Sequence, residues 1–227
     1  LAESVGQHLP FWQHNLDVAV LTSPQQENMM GMVDLLGRYK IGQVVQTELS
    51  PTNTLQKTWL AALQNAGTPV HHVKRGDLIG FEDEADVTVR VLNPGDSDIL
   101  KGDANTLEHD RSIVLKVEYG GTSILLAGDI QTGAEANMVR LAGDQLGSQV
   151  LKVADHGSDH ASTQGFVDVV KPLVSIVSVG AGNKQNYPSQ NVLDRLHNGG
   201  SQVYRTDQDG TIEITAEPGR FWVQSTK

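Results

Sequence analysis

A chain of 227 residues with no cysteine can have no disulfide, thiolate metal site or cysteine nucleophile. Its 27 Asp and Glu against 17 Lys and Arg give a formal net charge of −10, with the basic residues scattered, which argues against tight binding of long DNA. No apolar run approaches the roughly 20 residues that span a bilayer, and residues 1–10 have neither the basic start nor the apolar centre of a signal peptide. The length suits one large α/β domain, and no linker composition divides it, so 1–227 reads as a single domain.

Apolar periodicity alternates between strand and helix for most of the chain. Leu16 to Leu21 is predicted as a buried strand, turned at Ser23–Pro24. Glu27 to Tyr39 follows as a helix, with Met29, Met30 and Met32 as core or near-core packing. Ile41 to Thr47 is a strand, and Thr54 to Ala66 a helix stopped by Gly67. Pro69 to Val73 and Val87 to Leu92 read as strands, with a polar loop between Asn93 and Asp110. Arg111 to Tyr119 and Thr122 to Ala127 make the clearest hairpin, turned by Gly120–Gly121. A helix is expected from Thr132 to Leu141, with Gly143 beyond it, then a strand from Gln149 to Val153 and a short helix to Val170. Leu173 to Val179 is a strand, Pro188–Ser189 opens a helix ending near Gly199–Gly200, and strands follow at Gln202–Arg205, Thr211–Thr215 and Phe221–Gln224. Strands followed by helices, mixed with hairpins, point to sheets covered by helices.

Three polar segments follow apolar strands directly: Thr22–Asn28, Gly128–Asp129 and Asp155–His160. Strand ends are where α/β sheets place their sites. Asp155, His156, Asp159 and His160 could hold a divalent cation, or could simply cap the helix that follows. His71 and His72 fall on opposite faces of one strand and cannot easily share a metal, while His8, His14 and His197 read as surface residues. Neither a glycine-rich phosphate loop nor a nucleophile elbow is present.

Six ordered segments carry a resemblance: Leu9–Trp12, Leu16–Thr22, Ser112–Lys116 with Tyr119–Gly120, Leu125–Asp129, Leu151–Ser158, and Val203–Asp207 with Gly210. Together they resemble the C-terminal metallo-β-lactamase-like domain of the ComEC family of DNA-uptake (competence) proteins, over nearly the whole chain. The resemblance implies an αββα four-layer sandwich, an α/β (α+β) fold. It also implies that the chain is part of a larger bacterial cytoplasmic-membrane protein, a soluble domain on the extracytoplasmic side. The family's opening strands have no counterpart before Leu1.

The departures bear on chemistry. Where the family places His-x-His-x-Asp-His, this chain has Ser23-Pro24-Gln25-Gln26-Glu27-Asn28. Serine, glutamine and asparagine are poor zinc ligands, so of that loop only Glu27 could bind. Asp155 replaces the first His of His-His-Gly-Ser, and Tyr187 stands where a His before Pro is usual, while Asp129 matches a family ligand position unaltered. Asp129, Asp155, His156 and Glu27 could at most hold one weak divalent cation (Mn, Mg or Zn), so no cofactor is expected. The expected role is non-catalytic, structural or DNA-guiding, with single-stranded DNA and the transmembrane domains of the same polypeptide as partners. The alternative is a metal-dependent nuclease or hydrolase rearranged around Asp129, Asp155 and His156.

Overall fold

The computed structural model describes residues 1–49, 53–81, 86–95 and 108–227. Contacts divide the chain into two compact units, Leu1–Val73 and Lys74–Lys227. Most of the predicted polar loop between Asn93 and Asp110 lies outside the described residues.

In the first unit, helix α1 (Ala2–His8) precedes strand β1 (Asn15–Leu21), helix α2 (Gln26–Arg38), strand β2 (Lys40–Gln46), helix α3 (Thr54–Ala66) and strand β3 (Val70–His72). The strands form a parallel sheet in the order β1-β2-β3. Parallel neighbours need a crossover, and the two long helices supply them. Their apolar faces make the core: Met29, Met32 and Leu35 from α2 and Trp59 and Leu63 from α3 pack with Ala19, Leu21, Ile41 and Val44 of the strands. Met30 does not join them and is 57% exposed, because one position along a helix turns the side chain by about 100° onto the solvent face. The bounds of α3 are chemical: the Asn53 side chain accepts the Gln56 N–H, and Gly67 closes the helix at φ 63°. Fully buried Trp59 finds its polar partner on β2, donating its indole N–H to Gln46 Oε1 at 2.8 Å. The short α1 went unread because seven residues with one buried side chain, Ala2, carry no helical stripe.

The second unit holds a seven-stranded sheet in the order β10-β9-β8-β7-β6-β5-β4. These strands are β4 (Leu78–Ile79), β5 (Thr88–Asn93), β6 (Val114–Tyr119), β7 (Thr122–Leu126), β8 (Val150–Lys152), β9 (Val174–Val177) and β10 (Gln202–Arg205). From β4 to β7 neighbours are antiparallel, and from β7 to β10 they are parallel. The β6–β7 turn is the expected one, with Gly120 and Gly121 at φ 57° and 87°, as a two-residue hairpin of this twist requires. The parallel half is threaded by helices α4 (Thr132–Leu146), α5 (Gln164–Val170) and α6 (Gln190–Asn198). They bury Ala134, Met138, Leu146, Phe166, Val167, Val170, Val192 and Leu196 against Leu125, Leu151, Val153 and Val177.

Gly143 does not stop α4 where the sequence suggested. The helix bends at Ala142 and continues to Leu146, because Ala142 and Leu146 are both buried and hold the last turn down. A single helical turn, α7 (Thr206–Asp209), leads to a separate antiparallel hairpin of β11 (Ile212–Glu217) and β12 (Arg220–Ser225). Its turn rests on the β6–β7 turn: the Gly219 N–H donates to Gly120 O at 2.6 Å, and a β-carbon on Gly120 would lie 2.7 Å from Pro218 Cα.

Replacing Gln46 by Leu strands the Trp59 N–H in the core of the first unit. A loss of about 1–3 kcal/mol is expected, read as a lower urea midpoint by tryptophan fluorescence. The Trp59→Phe background should remove most of that loss.

Candidate functional site

Strands β7 and β8 run parallel with Leu126 opposite Lys152, so the residues that follow emerge side by side at the carboxyl end of the sheet. Gly128 makes the first turn at φ 58°, where a β-carbon would lie 2.9 Å from Ile113 O. Its carbonyl accepts the Asp155 N–H at 3.1 Å, which ties the two strand ends together. Asp129 and Asp155, the carboxylates singled out in the sequence, are both buried here, each 6% exposed.

One oxygen of the Asp155 carboxylate takes two hydrogen bonds: Oδ2 accepts the Gln131 side-chain amide at 2.9 Å and the Ser158 hydroxyl at 2.7 Å. The backbone beneath it is strained, with Asp155, His156 and Gly157 at φ 44°, 52° and 77° in succession. Gly157 is required there, since a β-carbon would meet Pro188 Cβ at 2.6 Å. His156 projects to solvent and donates from Nδ1 to the Ser178 carbonyl at 2.7 Å, which in a neutral ring leaves Nε2 as the acceptor. Tyr187 is half-buried; burial, then the Asp155 charge, push its phenol above the ordinary tyrosine range.

Several residues here were not among the site candidates read from the sequence. Lys152 donates from Nζ to Gly128 O at 3.4 Å; burial pushes its ammonium down from the usual lysine range, and the Asp129 and Asp155 charges pull it back up. The His109 ring meets Asp129 O at 3.3 Å. Asp110, fully buried, accepts the Gln131 N–H at 2.9 Å through Oδ1, while its Oδ2 faces Gly133 without closing a hydrogen bond of good geometry. Burial pushes the Asp110 carboxyl up, opposed by the backbone N–H groups of Gln131 and Ala134. Glu135 sits behind the loop: its two oxygens accept the N–H groups of Ser162 and Thr163, and its carboxyl is likewise pushed up, first by burial. Two signals could have flagged them: Lys152 falls within the Leu151–Ser158 resemblance, and His109-Asp110 stands just before an apolar strand.

The remaining sequence candidates are distributed. Ser23, buried, lies just beyond β1, Gln25 stands at the N-cap position of α2 without a side-chain capping bond, and Glu27 and Asn28 fall in its first turn, all in the first unit. Asp159 and His160 are exposed and do not join Asp155. Asp159 instead accepts from Ser189 and Asn191 at 3.1 Å each, at the start of α6, and those bonds hold its carboxyl below the usual range. The cap of α5 is Thr163 rather than any member of that cluster. Among the described residues, no three His, Asp or Glu side chains gather as a metal-ligand group.

No family model matches the chain. It is 30% identical over 199 residues, 87% of its length, to ComE operon protein 3 of Bacillus subtilis (strain 168). The chain belongs to the ComEC family. It spans about a quarter (24%) of that relative's length. Two shorter matches agree: 34% identity over 80 residues to competence protein ComA of Neisseria gonorrhoeae, covering 35% of this chain and 12% of that one, and 31% over 95 residues to recombination protein 2 of Haemophilus influenzae, covering 41% and 12%. Among solved structures, the diiron β-hydroxylase CmlA of Streptomyces venezuelae superposes with a TM-score of 0.54 at 15% identity, over 88% of this chain and 44% of that one. This ComEC segment is thus a mixed α/β chain of several sheets with the metallo-β-lactamase fold. Among its described residues, no helix is long and apolar enough to cross a membrane.

Because the folded Glu135 binds its proton more tightly than the unfolded chain does, its contribution to stability falls as pH rises from the ordinary glutamate range through the raised folded value. Glu135→Gln should flatten that fall. Thermal midpoints of both proteins at a series of pH values check this.

Proposed function

We propose that this ComEC-family domain is non-hydrolytic, a metallo-β-lactamase-like scaffold that has lost its metal chemistry and keeps a structural or DNA-guiding role. The observation that carries this is the Asp155 carboxylate, fastened to Gln131 and Ser158 at the position where the family has an imidazole. The loop after β1 supports it, offering Ser23, Gln25 and Asn28 where imidazoles would be needed. A hydrolytic centre of this superfamily lowers the pKa of a metal-bound water, and each ion needs about three protein ligands to do so. The donors present do not fit such a centre. In the larger protein the domain would lie beside the transmembrane part, on the extracytoplasmic side, against single-stranded DNA in transit.

A second reading rests on His156. Its Nδ1 is fixed by a backbone carbonyl, the arrangement that aims Nε2 at a ligand in many metal sites, and Asp129 lies at an unaltered ligand position. In that reading, one Mn, Mg or Zn ion supports cleavage of single-stranded DNA.

Elemental analysis after incubation with Zn and Mn and desalting separates the two. The first reading expects well under one metal per chain, with no cleavage of a labelled single strand in either cation. Near-stoichiometric metal, with cleavage abolished by Asp129→Ala, would establish the second. A low-salt mobility shift then tests the guiding role, expected as weak binding that vanishes as salt rises.

A further inference from the structure

The turn that leads into β1 carries the two most exposed aromatic side chains among the described residues, Phe11 at 86% and Trp12 at 67%. The chain has only four Phe and three Trp, and it buries Phe166 and Trp59 completely. Single apolar residues on a surface are ordinary, but two large rings side by side in water mark a surface that meets something else. The pair is held in place. The Gln13 N–H donates to Pro10 O at 2.8 Å and closes the turn, and the rings meet edge to face, centroids 4.8 Å apart and planes at 83°. Rings crossed in this way do not cover each other, so flat faces stay open to a further aromatic group.

The surroundings are basic in an acidic chain. Lys40, the first residue of β2, donates its N–H to His14 O at 2.8 Å, and the His14 and Tyr39 rings lie 6.4 Å apart. His8, His14 and Lys40 are all exposed. From Ser4 to Leu16 there is no Asp or Glu, and Asp34 is paired with Arg38 at 2.9 Å. A chain of net charge −10 thus sets its aromatic turn beside a lysine and two imidazoles. The turn stands at the start of β1, the other end of that strand from the Ser23–Asn28 loop.

Open ring faces next to cationic donors are what the bases and phosphates of an unpaired strand recognise. A bilayer surface takes aromatic rings too, but it favours a broad apolar face. Here Val5 and Leu9 are half-buried, and the exposed Leu1 lies a helix away over Gly31. We infer that the Phe11–Trp12 turn, with His14 and Lys40 beside it, is a stacking platform for the bases of single-stranded nucleic acid. This rests on the DNA-guiding reading above and gives that role a place apart from the degenerate loop. Two rings seat one or two bases, and the remaining basic residues are scattered, so the hold is weak and sequence-tolerant, as suits a strand in transit.

The test follows a short oligothymidylate at low salt, by mobility shift and by tryptophan fluorescence. In a Trp222→Phe background Trp12 is the exposed indole, since Trp59 is fully buried. Oligothymidylate should quench its emission, and a deoxyribose-phosphate strand without bases should not. Phe11→Ser combined with Trp12→Ser should weaken the mobility shift roughly tenfold. Its thermal midpoint should stay at the wild-type value, because neither side chain belongs to a core. Lys40→Gln should weaken binding less and reduce its sensitivity to salt. Undiminished binding by the double variant, or equal quenching by the strand without bases, would overturn the platform and leave the DNA-guiding reading standing. A blue shift with phosphatidylglycerol–phosphatidylcholine vesicles, and no response to oligothymidylate, would make the turn a membrane contact instead. A wild type that shifts no single strand at all sinks the guiding reading itself, and the platform with it.

Discussion

In the second unit, the ends of two neighbouring strands meet on one carbonyl. Gly128 O receives the Asp155 N–H and the Lys152 ammonium, and through them it fixes where two neighbouring parallel strands stop. A parallel sheet exposes unpaired backbone groups at its carboxyl end, and these must be satisfied by whatever follows each strand. Here the partner comes from the adjacent strand's exit turn. The left-handed run at Asp155, His156 and Gly157 is tolerable because it is pinned on both sides: Asp155 N–H to Gly128, and Gly157 O to the Ser189 N–H at 2.8 Å. Backbone strain of that kind persists only where neighbours over-determine it.

Much of the architecture was legible because it is local. The stop at Gly67, the turn at Gly120–Gly121 and the alternation of β6 and β7 each follow from side-chain chemistry within a few positions. The Leu125–Asp129 and Leu151–Ser158 segments were legible for a different reason, since an apolar strand ending in a polar step marks the carboxyl edge of a sheet. What stayed hidden depends on distance along the chain. Lys152 looks like an alternating polar residue of a strand until β7 is laid beside it, and Gln131 and Ser158 acquire meaning only once both approach the same Asp155 oxygen. Glu135 would be assigned to a solvated helix face, yet it is fully buried and serves two amides 27 and 28 residues away. The division after Val73 was equally silent, because no change of composition accompanies it.

On the proposed reading, the replacement of imidazoles would be chemically coherent rather than piecemeal. A histidine ligand left without metal would be a buried, partly charged ring seeking partners, whereas aspartate in a turn finds them among hydroxyls and amides. The Asp155–Ser158 and Asp155–Gln131 bonds fix the loop's geometry. Fold and chemistry are separable on such a scaffold, which is why likeness of fold to an iron enzyme says nothing of activity here.

The contact between the two hairpin turns has an evolutionary side. Gly120 must turn its own strand pair and also leave room for Pro218, so a single position answers to two loops nearly 100 residues apart. Drift at one turn is therefore not free: a side chain at 120 becomes tolerable only after the other turn has retreated. Among descendants of this sequence the two turns should change in step or not at all, inherited as one unit although the chain between them is free to diverge.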